Sequence, residues 1–179
     1  MRHIVVLLLA SFVATAASAQ WTYINKVDDF TDEVIKAAIW EDKDHKIQLS
    51  RIEPDKFGRR SIWMYVSRKG IGTIAPDGLI ELRIDKNATK EIKPDIYRDL
   101  EKLTKMRWIS WQPDTVAFFF QAESDDRENH CQHITPLILG ETLRIRYRTD
   151  KMDTAAFAVP LAGQTEKLVE TLELEVCVQ

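Results

Sequence analysis

The sequence predicts a mainly β protein: an antiparallel β-sandwich or barrel of about eight strands with one or two amphipathic helices. Three observations carry that expectation. Apolar and polar residues alternate with a period of two in several separate segments. Turn-forming Pro, Asp and Gly residues stand between these segments. Helical periodicity is confined to two stretches.

The elements follow in chain order. Val34 to Trp40 reads as a strand through its β-branched residues and Trp, although Asp32-Glu33 ahead of it would also suit a helix start. Lys46 to Ile52 sets Ile47 and Leu49 against Gln48 and Ser50. Asp55 to Arg60, with Gly58, reads as a charged loop leading to the next strand. Ser61 to Ser67 sets Ile62, Met64 and Val66 against Trp63 and Tyr65, which gives bulk to both faces. Lys69-Gly70-Ile71-Gly72 breaks the pattern. Pro76-Asp77-Gly78 then supplies a turn, with Pro fixing one backbone angle. The strand Leu79 to Asp85 follows, with Ile80, Leu82 and Ile84 opposite Glu81, Arg83 and Asp85.

Asp95 to Met106 places Ile96, Leu100 and Leu103 on one helical stripe with Tyr97 beside it. Val116 to Phe120, apolar throughout and preceded by Pro113-Asp114, suits a strand covered on both faces. Leu143 to Arg148 sets Leu143, Ile145 and Tyr147 opposite Arg144, Arg146 and Arg148. Gln164 to Leu174 reads as a second amphipathic helix through Leu168, Val169 and Leu172, and the alternation from Leu172 to Val176 would permit a closing strand. The pattern Gly78 to Ile84 returns weakly at Gly140 to Arg146, as any strand opening after a glycine can.

The chain of 179 residues opens with an address. Arg2 and His3, an apolar run from Ile4 to Val13 and the small residues ending Ala17-Ser18-Ala19 have the order of a bacterial-type secretory signal. That apolar run is short of the roughly 20 residues that span a bilayer. The expectation is a signal peptide over 1–19, cleaved after Ala19, and a single β-rich exported domain over 20–179, periplasmic or secreted. No second apolar run approaches membrane length, so no integral membrane segment is expected after cleavage. Lys and Arg number 25 against 28 Asp and Glu, a net charge of −3. Arg2 is the one such residue in the leader, so the mature chain is slightly more acidic still. A weak acidic balance gives no whole-molecule attraction to nucleic acid or anionic lipid.

Both cysteines, Cys131 and Cys177, fall in the mature part. In an oxidising compartment they are expected to pair, closing a loop of about 45 residues worth about 4 kcal/mol by the chain-entropy argument. Two buried thiols, or an intermolecular bond from the near-terminal Cys177, are the alternatives.

Chemical signatures are sparse. The polar cluster from Glu123 to His133 contains His130 and His133, residue types that suit zinc or copper, but no H-E-x-x-H or paired Cys-x-x-Cys accompanies them. A solvated acidic loop leading into the disulfide is the favoured reading, and no metal or cofactor is expected. No serine stands in Gly-x-Ser-x-Gly, and a bonded Cys131 is no nucleophile, so catalysis is not expected. Arg144, Arg146 and Arg148 form a cationic row with about 7 Å between neighbours on one strand face. They offer a site for an acidic ligand or partner, although a solvated face neutralised by Glu81 and Asp85 is the favoured account. Trp108 and Trp111, flanking Ser110 ahead of Pro113, offer rings for a sugar or a partner, against the commoner use of aromatics in a core or its rim. Asn87-Ala88-Thr89 has the form of a glycosylation sequon, which a bacterial-type signal makes incidental.

The run from Pro136 through Gly140-Glu141-Thr142-Leu143-Arg144-Ile145-Arg146-Tyr147 continues to Ala156-Phe157-Ala158-Val159-Pro160-Leu161-Ala162-Gly163. With Asp28-Asp29-Phe30-Thr31-Asp32 and the terminal cysteine, it resembles the VasI-type accessory proteins associated with type VI secretion and related exported and phage-borne proteins. The chain departs from that pattern in lacking an arginine–cysteine pair, with Leu82-Arg83-Ile84 in its place. The resemblance implies a periplasmic β-rich accessory domain without catalysis and carries no functional residue. The leading expectation is therefore a non-enzymatic exported protein that binds a protein partner or an envelope component. An inhibitor of an envelope-directed hydrolase such as a lysozyme or protease, and a metal-assisted hydrolase using His130 and His133, are the alternatives.

Overall fold

A computed structural model describes residues 19–27, 29, 32, 34–52, 61–70, 72–75, 78–92, 108–112, 114–122, 131 and 134–178. The leader, the helix expected over 95–106, the loop at 55–60, and His130 and His133 lie outside the described residues. Those described form ten strands: β1 (Gln20–Val27), β2 (Val34–Glu41), β3 (His45–Ile52), β4 (Ser61–Arg68), β5 (Ile80–Ile84), β6 (Lys90–Ile92), β7 (Trp108–Gln112), β8 (Thr115–Ala122), β9 (Thr142–Arg148) and β10 (Thr154–Pro160). Two α-helices accompany them, α1 (Thr135–Leu139) and α2 (Thr165–Leu172), with a closing 3-10 turn at Glu175–Cys177.

The strands make two antiparallel sheets, one of six in the order β1-β2-β3-β4-β8-β7 and one of four in the order β10-β9-β5-β6. The mainly β sandwich is thus observed, and among the described residues neither sheet closes into a barrel. Register explains why the period-two pattern folds this way. Ala38, Leu49, Met64 and Phe118 lie side by side across β2, β3, β4 and β8, and Trp40, Ile47, Val66 and Val116 form the next row. All eight are buried in one core cluster. The second sheet contributes Ile80, Leu82, Ile92, Leu143, Ile145, Tyr147 and Val159 to the same cluster. Gly78 N–H donates to the Ala75 carbonyl at 3.1 Å; Pro76 and Asp77 of the expected turn lie outside the described residues. The two segments with the weak echo, at Gly78 and Gly140, prove to be the paired neighbours β5 and β9.

The amphipathic helix expected after Gly163 is observed, and the strand that the alternation from Leu172 would permit is not. Helix α2 ends at Leu172, and no closing strand follows. Glu173 takes the left-handed conformation at φ 52°, its N–H bonded to the Val169 carbonyl, so Leu172 and Leu174 both enter the core instead of alternating along a strand. Arg51 on β3, 7% exposed, donates from Nη1 to the carbonyls of Leu172 (2.9 Å) and Glu173 (3.0 Å), and its Nη2 lies 3.2 Å from the Glu173 carboxylate. Lys36, opposite Arg51 on β2, pairs with the same carboxylate. The two cations thereby satisfy the orphan carbonyl end of α2 and complement its dipole.

Cys131 and Cys177 are joined by a disulfide, with Cα atoms 5.2 Å apart. Thr135 Oγ1 donates to the Cys177 carbonyl at 3.1 Å, and Thr165 Oγ1 to the Ile138 carbonyl at 2.9 Å. The C-terminal turn, α1 and the start of α2 are thus fastened together. Among the described residues no helix is long and apolar enough to cross a membrane.

Candidate functional site: an arginine face on the four-stranded sheet

The alternation of β9 decides which way its cations point. Leu143, Ile145 and Tyr147 are buried, so Arg144, Arg146 and Arg148 stand exposed on the opposite face of the sheet. Pairing then fixes their neighbours. Arg146 lies opposite Glu81 on β5 and Ala156 on β10; Arg144 lies opposite Arg83 on β5 and Ala158 on β10; Arg148 lies opposite Thr154.

The row is neutralised only in part. Arg146 forms an ion pair with Glu81, as the solvated-face reading expects. Arg148 Nη2 instead donates to Met152 Sδ at 3.3 Å. Arg144 Nη1 reaches the Asp85 main-chain carbonyl at 3.4 Å and not its carboxylate. The Asp85 side chain is committed elsewhere: Oδ1 accepts from Glu141 N–H at 3.0 Å and Thr142 N–H at 2.8 Å, holding the entry of β9 against the end of β5. The expectation that Asp85 balances the arginines is therefore corrected. Its backbone leaves the strand at φ 53°, where it no longer follows the alternation that places Glu81 and Arg83.

Among the described residues neither Arg83 nor Arg144 is ion-paired to a carboxylate. An open groove of about 510 Å³ runs over this face, walled by Arg83, Arg144, Arg146, Glu81 and Thr89. Its β10 side is low because the outward residues there are Ala156 and Ala158. Guanidinium forks above a floor of small side chains suit a carboxylate or another planar anion.

Trp108 and Trp111 do not join this surface. They belong to β7, the edge of the other sheet, and their side chains lie outside the described residues. Of the remaining tryptophans, Trp40 is fully buried and Trp21 and Trp63 are half-buried.

A polar cluster that sequence reasoning missed sits where the two sheets meet. The His45 ring stacks on Phe157 of β10 with centroids 4.0 Å apart, and its Nε2 lies 3.1 Å from the Tyr147 hydroxyl. Asp42 Oδ1 accepts the His45 backbone N–H at 2.6 Å and lies 3.5 Å from His45 Nδ1. Burial raises the Tyr147 pKa above its usual value, and Asp44 and Asp42 add to this, against the nearby Arg68. The hydroxyl therefore stays protonated at neutral pH and serves the seam as a hydrogen-bonding group. Three separate strands assemble this cluster, and no local motif signals it. Among the described residues no three His, Cys, Asp or Glu side chains come together to hold a metal ion.

No protein-family model, no characterised protein and no solved structure matches the chain.

Proposed function

We propose that the protein is an exported, non-enzymatic accessory protein whose arginine face holds an acidic segment of a protein partner. One observation carries the reading: Arg83 and Arg144 stand in register on adjacent strands, and no carboxylate among the described residues pairs with either. Like charges directly opposite one another disfavour the sheet. An acidic side chain placed between them relieves that repulsion and accepts two charge-assisted forks. The surface thus has a use in the complex that it lacks in the free chain.

Export and the accessory role have their own support. The charge–apolar–small order of residues 1–19 is that of a secretory leader. The disulfide between Cys131 and Cys177 is compatible with an oxidising compartment. The resemblance to VasI-type proteins points to a periplasmic accessory domain, and the acid-binding face gives such a domain a means of engaging a partner.

Titration of a fluorescent Glu-rich peptide tests this reading. The wild-type chain binds it with an affinity that falls as salt rises, and the Arg83→Glu, Arg144→Glu double variant binds at least about tenfold more weakly, equal to about 1.4 kcal/mol. Equal binding by both proteins would remove the arginine pair from the function.

A further inference from the structure

The arginine face borders a sheet edge that no strand among the described residues pairs, and we infer that the acidic partner binds as an extended strand added to that edge of β10. This rests on the reading of the arginine face above and goes further by naming the partner's backbone conformation, register and anchoring groups.

The direction of the β10 main chain follows from its hydrogen bonds. Leu161 N–H donates to the Glu141 carbonyl and Thr149 N–H to the Asp153 carbonyl, both at 2.8 Å. In the antiparallel ladder the odd-numbered positions of β10 therefore bond to β9. The even-numbered positions point the other way. The Pro160 carbonyl shows it, since it accepts from Trp21 Nε1 at 2.7 Å on the side away from β9. The N–H and C=O groups of Ala156 and Ala158 thus face the open edge, and no strand among the described residues pairs there.

Exposed edges are commonly protected by charged side chains, which discourage another strand from adding. The edge strand β1 carries Lys26, and β6 carries Lys90 and Glu91. β10, Thr154-Ala-Ala-Phe-Ala-Val-Pro160, has no charged residue, and neither has the edge strand β7 of the other sheet, but β10 alone of these two borders the arginine face. Pro160 limits the pairing at one end, since it has no N–H and its carbonyl is already taken by Trp21. Addition is therefore confined to the stretch from Thr154 to Ala158.

Spacing connects the edge to the arginines. A strand added to β10 would run about 4.8 Å from it and about 9.6 Å from β9. The residues in between on that face are Ala156 and Ala158, which rise by only one carbon. An acidic side chain on the added strand and an Arg144 or Arg146 side chain on β9 then meet above the alanines. Arg144 and Arg146 are two residues apart, so acids at alternate positions of the incoming segment fall in register with them, one on Arg144 and the other sharing Arg146 with Glu81. The groove thus selects an extended acid-x-acid segment. Main-chain bonds supply affinity and the guanidinium groups supply specificity.

A synthetic peptide alternating Glu and Thr is the probe, used with the full mature chain. On binding, the amide protons of Ala156 and Ala158 gain protection from hydrogen exchange. N-methylation of the peptide amides that face β10 weakens binding about tenfold, whereas N-methylation of the opposite alternation leaves it unchanged. Full binding by both methylated peptides without amide protection would overturn strand addition and leave the acid-binding face standing. Failure of every acidic peptide to bind would overturn both readings. A free chain that is dimeric, with these amides already protected and with monomers restored by Ala158→Pro, would assign the edge to a second copy and overturn the proposal.

Discussion

Arg83 and Arg144 face one another across β5 and β9, two guanidinium groups in register with an alanine, Ala158, on the far side of Arg144. Their neighbours one step along, Glu81 and Arg146, form the complementary pair that the first two lack. Arg144→Glu turns the repulsive pair into an attractive one, and the folded chain gains about 0.2–1 kcal/mol. Urea unfolding at low salt measures the gain. A loss of stability would mean that Arg144 is retained for the fold and not for a partner.

Arg51 is a buried cation with a structural task. It satisfies the carbonyls of Leu172 and Glu173 where α2 ends. Arg51→Met leaves those groups unpaired in a buried setting and lowers stability by about 2–3 kcal/mol. Arg51→Lys restores part of this, because a single ammonium cannot serve both carbonyls and the Glu173 carboxylate with a planar fork. The urea midpoints of the two variants, with amide exchange in α2 as a local readout, check the order.

Reduction of the Cys131–Cys177 disulfide removes the covalent fastening of the C-terminal turn and leaves the Thr135 Oγ1 bond to the Cys177 carbonyl. By the chain-entropy argument the reduced chain, or the Cys131→Ala, Cys177→Ala variant, is less stable by about 4 kcal/mol. The core cluster has many other members, so the reduced chain remains folded at room temperature. A thermal scan with and without reductant measures the difference.

Tyr23 gives the stability curve its alkaline limb. Its hydroxyl donates to Gln164 Oε1 at 2.7 Å, Lys167 Nζ lies 5.6 Å from its ring centroid, and burial pushes its pKa up to about 12. In the unfolded chain tyrosine ionises near 10. From about pH 10 to 12 the unfolded state therefore holds fewer protons than the folded one, and stability falls as pH rises. Below pH ~10 this group contributes no pH dependence. Burial raises Tyr147 in the same direction. Absorbance titration near 295 nm should show Tyr23 ionising late, and Tyr23→Phe should flatten the alkaline slope. Ionisation of every tyrosine near 10 would contradict the assignment.

The strands with apolar and polar residues in strict alternation were legible in the sequence. β3, β4, β5 and β9 lie where their patterns place them, and Val34–Glu41 is a strand as its β-branched residues suggest. β10 was hidden because its outward positions are alanines, so the apolar count hardly changes along Ala155 to Val159. β1, β6, β7 and α1 were likewise not read. The helix α2 lies where its periodicity places it, and the strand that the pattern permitted after it is absent because Glu173 takes a left-handed turn bound by Arg51 and Lys36 from other strands. The exposed side of each arginine followed from alternation alone. The opposition of Arg83 to Arg144 did not, because register between strands so far apart in sequence is set by tertiary pairing.

A reciprocal charge swap tests the acid-binding face most directly. Arg83→Glu with Arg144→Glu should lose the Glu–Thr alternating peptide and gain the matching Lys–Thr peptide, with a change of at least about tenfold in each direction. Isothermal titration of both peptides against both proteins gives the four affinities. Unchanged preference for the acidic peptide after the swap, or no preference in the wild-type chain, would contradict the assignment of this face to an acidic partner.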